Sequence, residues 1–184
     1  MDDWIYKKQF DTMNKCAAYW HNKSCHLNQS SKILWNAWGN GDLIDSGDTY
    51  LMLMGLSFEL LFKAFYIANE KTPPTHHRLD SLTNECSCAF ANKDNIILKI
   101  LSGYIIWEGR YPTPKDKKNK TTGENTAFVP IKEQRKSFDN TLVFSDQLLG
   151  KSNSKLSRSD LDYDVLLKLW QKINTEYISK HIKT

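Results

Sequence analysis

Four groups of side chains in this sequence have the types and spacing to do chemistry. The first is Glu59, Lys63 and Arg110. Glu59 and Lys63 stand four residues apart in an otherwise apolar run, the spacing that brings two side chains together on one helix face. A carboxylate in such a run needs a counter-charge, because an unpaired buried charge is rarely tolerated. The expectation is that Glu59 pairs with Arg110 and that the cluster is first structural, with a functional role if the Arg110 face also lines a cleft. The second group is His76-His77-Arg78. A histidine exchanges protons near neutral pH and an arginine grips phosphate bidentately, but a histidine at a helix start also packs or caps, the plainer role for His77. The third is the basic run 115–120, with Lys115, Lys117 and Lys118, which can touch RNA phosphates or simply be solvated. The fourth is Cys16, Cys25, Cys86 and Cys88 with His21 and His26. Cys86-Ser87-Cys88 lacks the usual two-residue spacer of zinc sites, and positions 16, 21, 25 and 26 spread around a continuous helix, so free thiols, no metal and no other cofactor are expected.

Other chemistries are excluded by absence. The chain has no glycine-rich phosphate loop, nucleophile elbow, HExxH or paired-carboxylate motif. Its formal net charge of +4 admits a nucleic-acid partner without requiring one. No basic-then-apolar leader opens the sequence, and the most apolar run, 50–58, is cut off by Glu59 and Lys63 before it reaches a membrane span. A cytoplasmic chain with no membrane contact and reduced cysteines is the expectation.

The elements that must position these groups are helical. With 184 residues, 40% hydrophobic, 5 prolines and 8 glycines, the chain suits one domain, 1–184, with a core over 10–114. Met13, Trp20, Leu27 and Leu34 recur every seven residues, which predicts a first helix over 10–38. Small residues at 17, 24 and 31 let a neighbour approach that helix closely. A second helix over 48–70, capped by Asp48, is apolar nearly all round and is therefore central. Pro73 and Pro74 break the chain, and a third helix is predicted over 75–90, a fourth over 93–107. A lysine-rich loop over 115–129 leads to C-terminal helices within 130–182. The last of these begins near Ser159 or Asp160 and buries Leu161, Val165, Leu169, Ile173 and Tyr177. The fold class expected is all-α, an up-and-down bundle of about five to six helices with essentially no sheet.

Three segments in this order resemble the HEPN superfamily of helical domains: Glu59-Leu60-Leu61-Phe62-Lys63-Ala64, then Pro73-Pro74 with His77, Leu79 and Leu82, then Trp107-Glu108-Gly109-Arg110-Tyr111-Pro112. Phe62 stands where the family more often has leucine. The resemblance covers 50–114. It implies a HEPN-like bundle, often a homodimer, in a defence or toxin–antitoxin-like setting, with RNA or a small nucleotidyltransferase as partner and Glu59, Lys63, Arg110, Tyr111 and the following lysines as binding residues. Catalytic members carry an arginine followed after four to six residues by a histidine. None of Arg78, Arg110, Arg135 and Arg158 has a histidine at that distance. The expectation is a non-catalytic binding or dimerisation module. The alternatives are a divergent metal-independent ribonuclease using Arg110 with His77, and a plain dimerisation scaffold.

Overall fold

The computed structural model describes residues 3–44, 46–110, 141–142 and 156–182. Helices dominate them: α1 (Asp3–Lys15), α2 (Ala17–Gly39), α3 (Gly47–Ala68), α4 (Leu79–Leu82), α5 (Asn92–Gly103) and α6 (Tyr163–His181). One antiparallel pairing of two-residue strands, β1 (Thr141–Leu142) with β2 (Leu156–Ser157), is the only sheet among the described residues. Of the C-terminal helix expected over 131–149 only Thr141 and Leu142 are described, and they form a strand rather than helix; the loop over 115–129 lies outside the described residues.

As its composition demands, α3 is the central element. Met54, Phe58, Leu61, Phe62 and Phe65 are fully buried along it. It is the one helix among the described residues long and apolar enough to cross a membrane, and 67% of its most apolar window is buried inside the fold. Every other long helix except α1 packs on α3, which explains why it has no polar face.

α2 lies closest to it. The expected small residues make this possible: Ser24 and Ser31 are fully buried, and the Ser24 hydroxyl donates to the Ser57 carbonyl across the seam at 2.6 Å. On another side, Gly55 admits α5; a Cβ there would stand 2.9 Å from Ile105 Cγ1. α6 closes the bundle through Leu166, Leu169, Trp170, Ile173 and Tyr177; of the expected stripe Leu161, Leu169, Ile173 and Tyr177 are buried, while Val165 is only half-buried and Leu166 beside it is enclosed. The polar tips buried with it find partners: Tyr163 Oη donates to Asn28 Oδ1 at 2.9 Å and Trp170 Nε1 to Ser24 Oγ at 3.2 Å.

Two helix predictions are corrected. The stretch 10–38 is not continuous: Cys16 adopts an extended conformation (φ −99°, ψ 104°), so α1 leaves the line of α2. The stretch 75–90 holds only α4 and a single 3₁₀ turn, Thr83–Glu85. Pro73 and Pro74 delay the helix start, and Thr83, Asn84, Cys86, Ser87 and Cys88 are all poor helix formers, so the chain from Cys86 to α5 is not helical. α5 then continues into a π-helical turn, Tyr104–Glu108, closed by Gly109 N–H donating to the Tyr104 carbonyl at 3.1 Å. The second helix starts at Gly47, with Ser46 as N-cap and Asp48 inside its first turn.

Candidate functional site

Glu59 sits in the middle of α3 and is 3% exposed. Its expected i,i+4 partner is in place, with Lys63 Nζ 2.7 Å from Oε1 and itself buried. The second partner is His77. α3 stops at Asn69, where Glu70 takes a left-handed conformation (φ 57°) that turns the chain. Past the two prolines the backbone returns along the bundle. It is pinned there by the buried Ser102 of α5, whose hydroxyl accepts from Leu79 N–H at 2.9 Å while donating to the Leu98 carbonyl at 2.7 Å. Two residues before that anchor, His77 Nδ1 lies 3.0 and 2.9 Å from the two oxygens of Glu59.

Arg110 is not the partner expected for Glu59. It is exposed, and the α3 residue beside its neighbour Gly109 is Met52, 2.4 Å from where a Gly109 Cβ would stand. Met52 precedes Glu59 by seven residues, which is two helical turns and about 10 Å along the axis. Those two turns place both residues on one stripe of α3. Gly109 therefore meets α3 about 10 Å along the axis from the level at which His77 reaches Glu59. Tyr111, Lys115, Lys117 and Lys118 lie outside the described residues.

The geometry assigns distinct roles to the cluster. Glu59 is a carboxylate wholly enclosed by its own helix and by the 73–79 segment. An imidazole that donates from Nδ1 keeps Nε2 as its acceptor when neutral. The His77 side chain is 43% exposed, so this ring meets solvent on its other edge. That is the base-and-orienter part of a proton-transfer site. Its neighbour His76 is spent on the turn: Nδ1 accepts from Arg78 N–H at 3.3 Å, and Nε2 lies 3.4 Å from the Ser81 hydroxyl. Arg78 is exposed and 3.5 Å from Asp80.

Two further groups are assembled by the fold. His21 stacks on Tyr177 at 4.6 Å between centroids and shares a 2.6 Å hydrogen bond with Asn174, while His181 packs edge-on against Phe65. Burial pushes the His181 imidazole below its ordinary value, with the Lys180 charge adding to the effect. Cys86 and Cys88 converge on Glu176 of α6. No signal in the sequence pairs residues 86 and 88 with a glutamate on the last helix, since the contact spans almost half the chain. No disulfide joins the four cysteines. No family model matches the chain, and neither a curated protein nor a solved structure matches it.

Proposed function

We propose that this chain is a HEPN-type helical module that binds RNA or a nucleotide along the α3 face bearing His77 and Arg110. The setting is a defence or toxin–antitoxin-like system with a small nucleotidyltransferase as companion. The observation that carries this reading is the Glu59–His77 pair. A buried carboxylate grips Nδ1 with both oxygens near 3 Å and leaves the half-exposed ring to meet a ligand. The Glu59–Lys63 pair and His77 of the Pro-Pro-His-Leu segment meet on α3, and Gly109 comes up against Met52 of the same helix, which supports the same reading. With Lys63 already offsetting Glu59, His77 is free to offer its solvent-facing edge to a phosphate oxygen or a base. Arg110, exposed next to Gly109, suits a further phosphate along a strand.

A second copy of the chain is the proposed partner at α1. That helix carries Trp4 61% exposed, Ile5 48% and Met13 43%, apolar area that a symmetric homodimer would cover. Sedimentation at micromolar concentration should show a dimer, and a monomer throughout would remove this part of the proposal.

The functional test is fluorescence anisotropy with a labelled single-stranded RNA across a salt series. Wild type should bind with salt-sensitive affinity. Arg110→Ala should flatten the slope of log K against log salt by ~0.7, one phosphate contact on a single strand. His77→Ala should weaken binding at unchanged helix content. Equal binding by all three proteins would leave the plain scaffold. The same RNA incubated with EDTA tests the second reading, a metal-independent ribonuclease, which the carboxylate-oriented His77 specifically favours. Cleavage lost in both His77→Ala and Arg110→Ala would establish it.

A further inference from the structure

Between α6 and the segment leading into α5, three metal-ligating atoms meet. Cys86 Sγ, Cys88 Sγ and a carboxylate oxygen of Glu176 all lie within 4.8 Å of one another. Glu176 Oε2 is 3.2 Å from Cys86 Sγ and 2.5 Å from Cys88 Sγ, and Oε1 accepts from Ser87 N–H at 2.6 Å. We propose that Cys86, Cys88 and Glu176 bind a thiophilic divalent cation, zinc in the first place, and that the ion staples α6 to the segment leading into α5.

The one-residue spacer is what makes the site. On a helix, positions two apart point to different sides, whereas along an extended chain they share a side. Cys86 leaves the 3₁₀ turn with φ −92° and ψ 128°, an extended conformation, and both sulfurs reach the same glutamate. Cys-Ser-Cys outside a helix, with Cys86 extended, thus does what a two-residue spacer does on a turn. A tetrahedral zinc site with Zn–S bonds of about 2.3 Å separates its sulfurs by ~3.8 Å, within the spread seen here. The Cys88–Glu176 edge has to open by ~1 Å to reach such a geometry, and Cys88, half-buried on a segment with no helix to hold it, can turn outward.

The charges balance. Binding releases one proton from each thiol to solvent, because the ligand is the thiolate. Two thiolates and one carboxylate then face the dication and the ammonium of Lys180, which stands 2.7 Å from Glu176 Oε1 and 2.6 Å from Ser87 Oγ, for no net charge. Lys172, the other cation at the site, is turned away to the Ala89 carbonyl and lies 3.9 Å from Asp94. Three protein ligands leave a fourth position for water, and the exposed Ser87 side keeps that position open to solvent. A metal bridge between Cys88 and Glu176 closes a loop spanning 88 positions of the sequence, so it limits the unfolded chain as a long-loop crosslink does.

The experiment uses the reduced full chain, stripped with chelator. Cadmium and zinc are the probes. One cadmium per chain should produce the ultraviolet thiolate-to-metal absorption, and one zinc should release about two protons and raise the melting temperature. Cys88→Ser and the near-isosteric Glu176→Gln should each weaken binding at least tenfold, while Cys16→Ser and Cys25→Ser leave it unchanged. No thiolate band at equimolar cadmium, a band that survives Cys88→Ser, or one that disappears with Cys25→Ser would each overturn the site. Alkylation of wild type needs no variant to fold: zinc should protect Cys88 from iodoacetamide and leave Cys16 and Cys25 at their metal-free rates. Unchanged labelling of Cys88 at saturating zinc would equally refute it.

Discussion

Glu59→Gln is the sharpest perturbation of the fold. The substitution keeps the shape of the side chain and one carbonyl acceptor but removes the charge. Lys63, with a side chain only 9% exposed, then has no carboxylate at 2.7 Å. Removing one member of a buried pair costs about 3–5 kcal/mol, because the other charge is left enclosed. The lower end applies here, since the amide oxygen still accepts one hydrogen bond and the long lysine stem can carry its head outward. For a chain of this size each kcal/mol moves the midpoint by about 2–4 °C, so Glu59→Gln should melt ~6–12 °C below wild type. Glu59→Leu combined with Lys63→Met should recover most of that loss, because an apolar replacement of the whole pair is often neutral. Arg110→Ala is the control. Arg110 is exposed and apart from Glu59, so its loss should cost less than about 0.5 kcal/mol. Thermal and urea unfolding followed by circular dichroism measure all four proteins. A Glu59→Gln midpoint within ~2 °C of wild type would refute the enclosed pair, and an Arg110→Ala loss as large as that of Glu59→Gln would restore Arg110 as its partner.

Three other outcomes follow from the packing. Ser24→Ala removes the donor to Ser57 and leaves the buried Trp170 N–H without its acceptor, a cost of about 1–3 kcal/mol visible as a lower urea midpoint at unchanged slope. Gly55→Ala places a methyl 2.9 Å from Ile105 Cγ1 and 3.1 Å from the Leu101 carbonyl, neither the free end of a flexible chain, so α5 has to shift and stability should drop by about 1–3 kcal/mol, measured in the same way. Burial holds the folded His181 below its unfolded value of 6.5, so the unfolded chain takes up the proton first as pH falls. Stability from this residue is therefore complete above pH 6.5 and is lost progressively as pH drops below it; urea midpoints between pH 8 and pH 5 should fall for wild type and fall less for His181→Phe.

What was legible in the sequence was whatever depends on one element alone. The all-round apolarity of 51–67 marks α3 as central, the four-residue spacing gives the Glu59–Lys63 pair, and the stripe through Leu161, Leu169, Ile173 and Tyr177 gives α6. The small residues of α2 likewise announced a close neighbour, and Ser57 is that neighbour. The misses come from what one element cannot encode. The demand for a counter-charge on Glu59 was correct, but the choice between His77 and Arg110 depends on how far along α3 each returning segment lands. Leu79 is fixed by Ser102 of α5, and Gly109 is fixed by Met52 two turns earlier. The stretch 75–90 misled because Leu79, Leu82 and Cys86 repeat at helical intervals; all three are buried, yet the chain reaches Cys86 after its helix has ended.

The contrast between Lys63 and His77 separates packing from chemistry at the candidate site. One buried carboxylate needs one opposite charge, and Lys63 supplies it from the same helix at no cost in chain topology. His77 is thus in excess of charge balance. A second donor does satisfy remaining lone pairs of the carboxylate, but a side chain serving only that end has no reason to stay 43% exposed when serine or asparagine would donate from within. The histidine instead spans the boundary, with Nδ1 on an enclosed carboxylate and its other edge in water. The backbone on both sides of it is occupied, with His76 bonded into the turn and Leu79 bonded to Ser102. A ring so oriented from beneath, on a segment so anchored, holds its outer edge toward solvent.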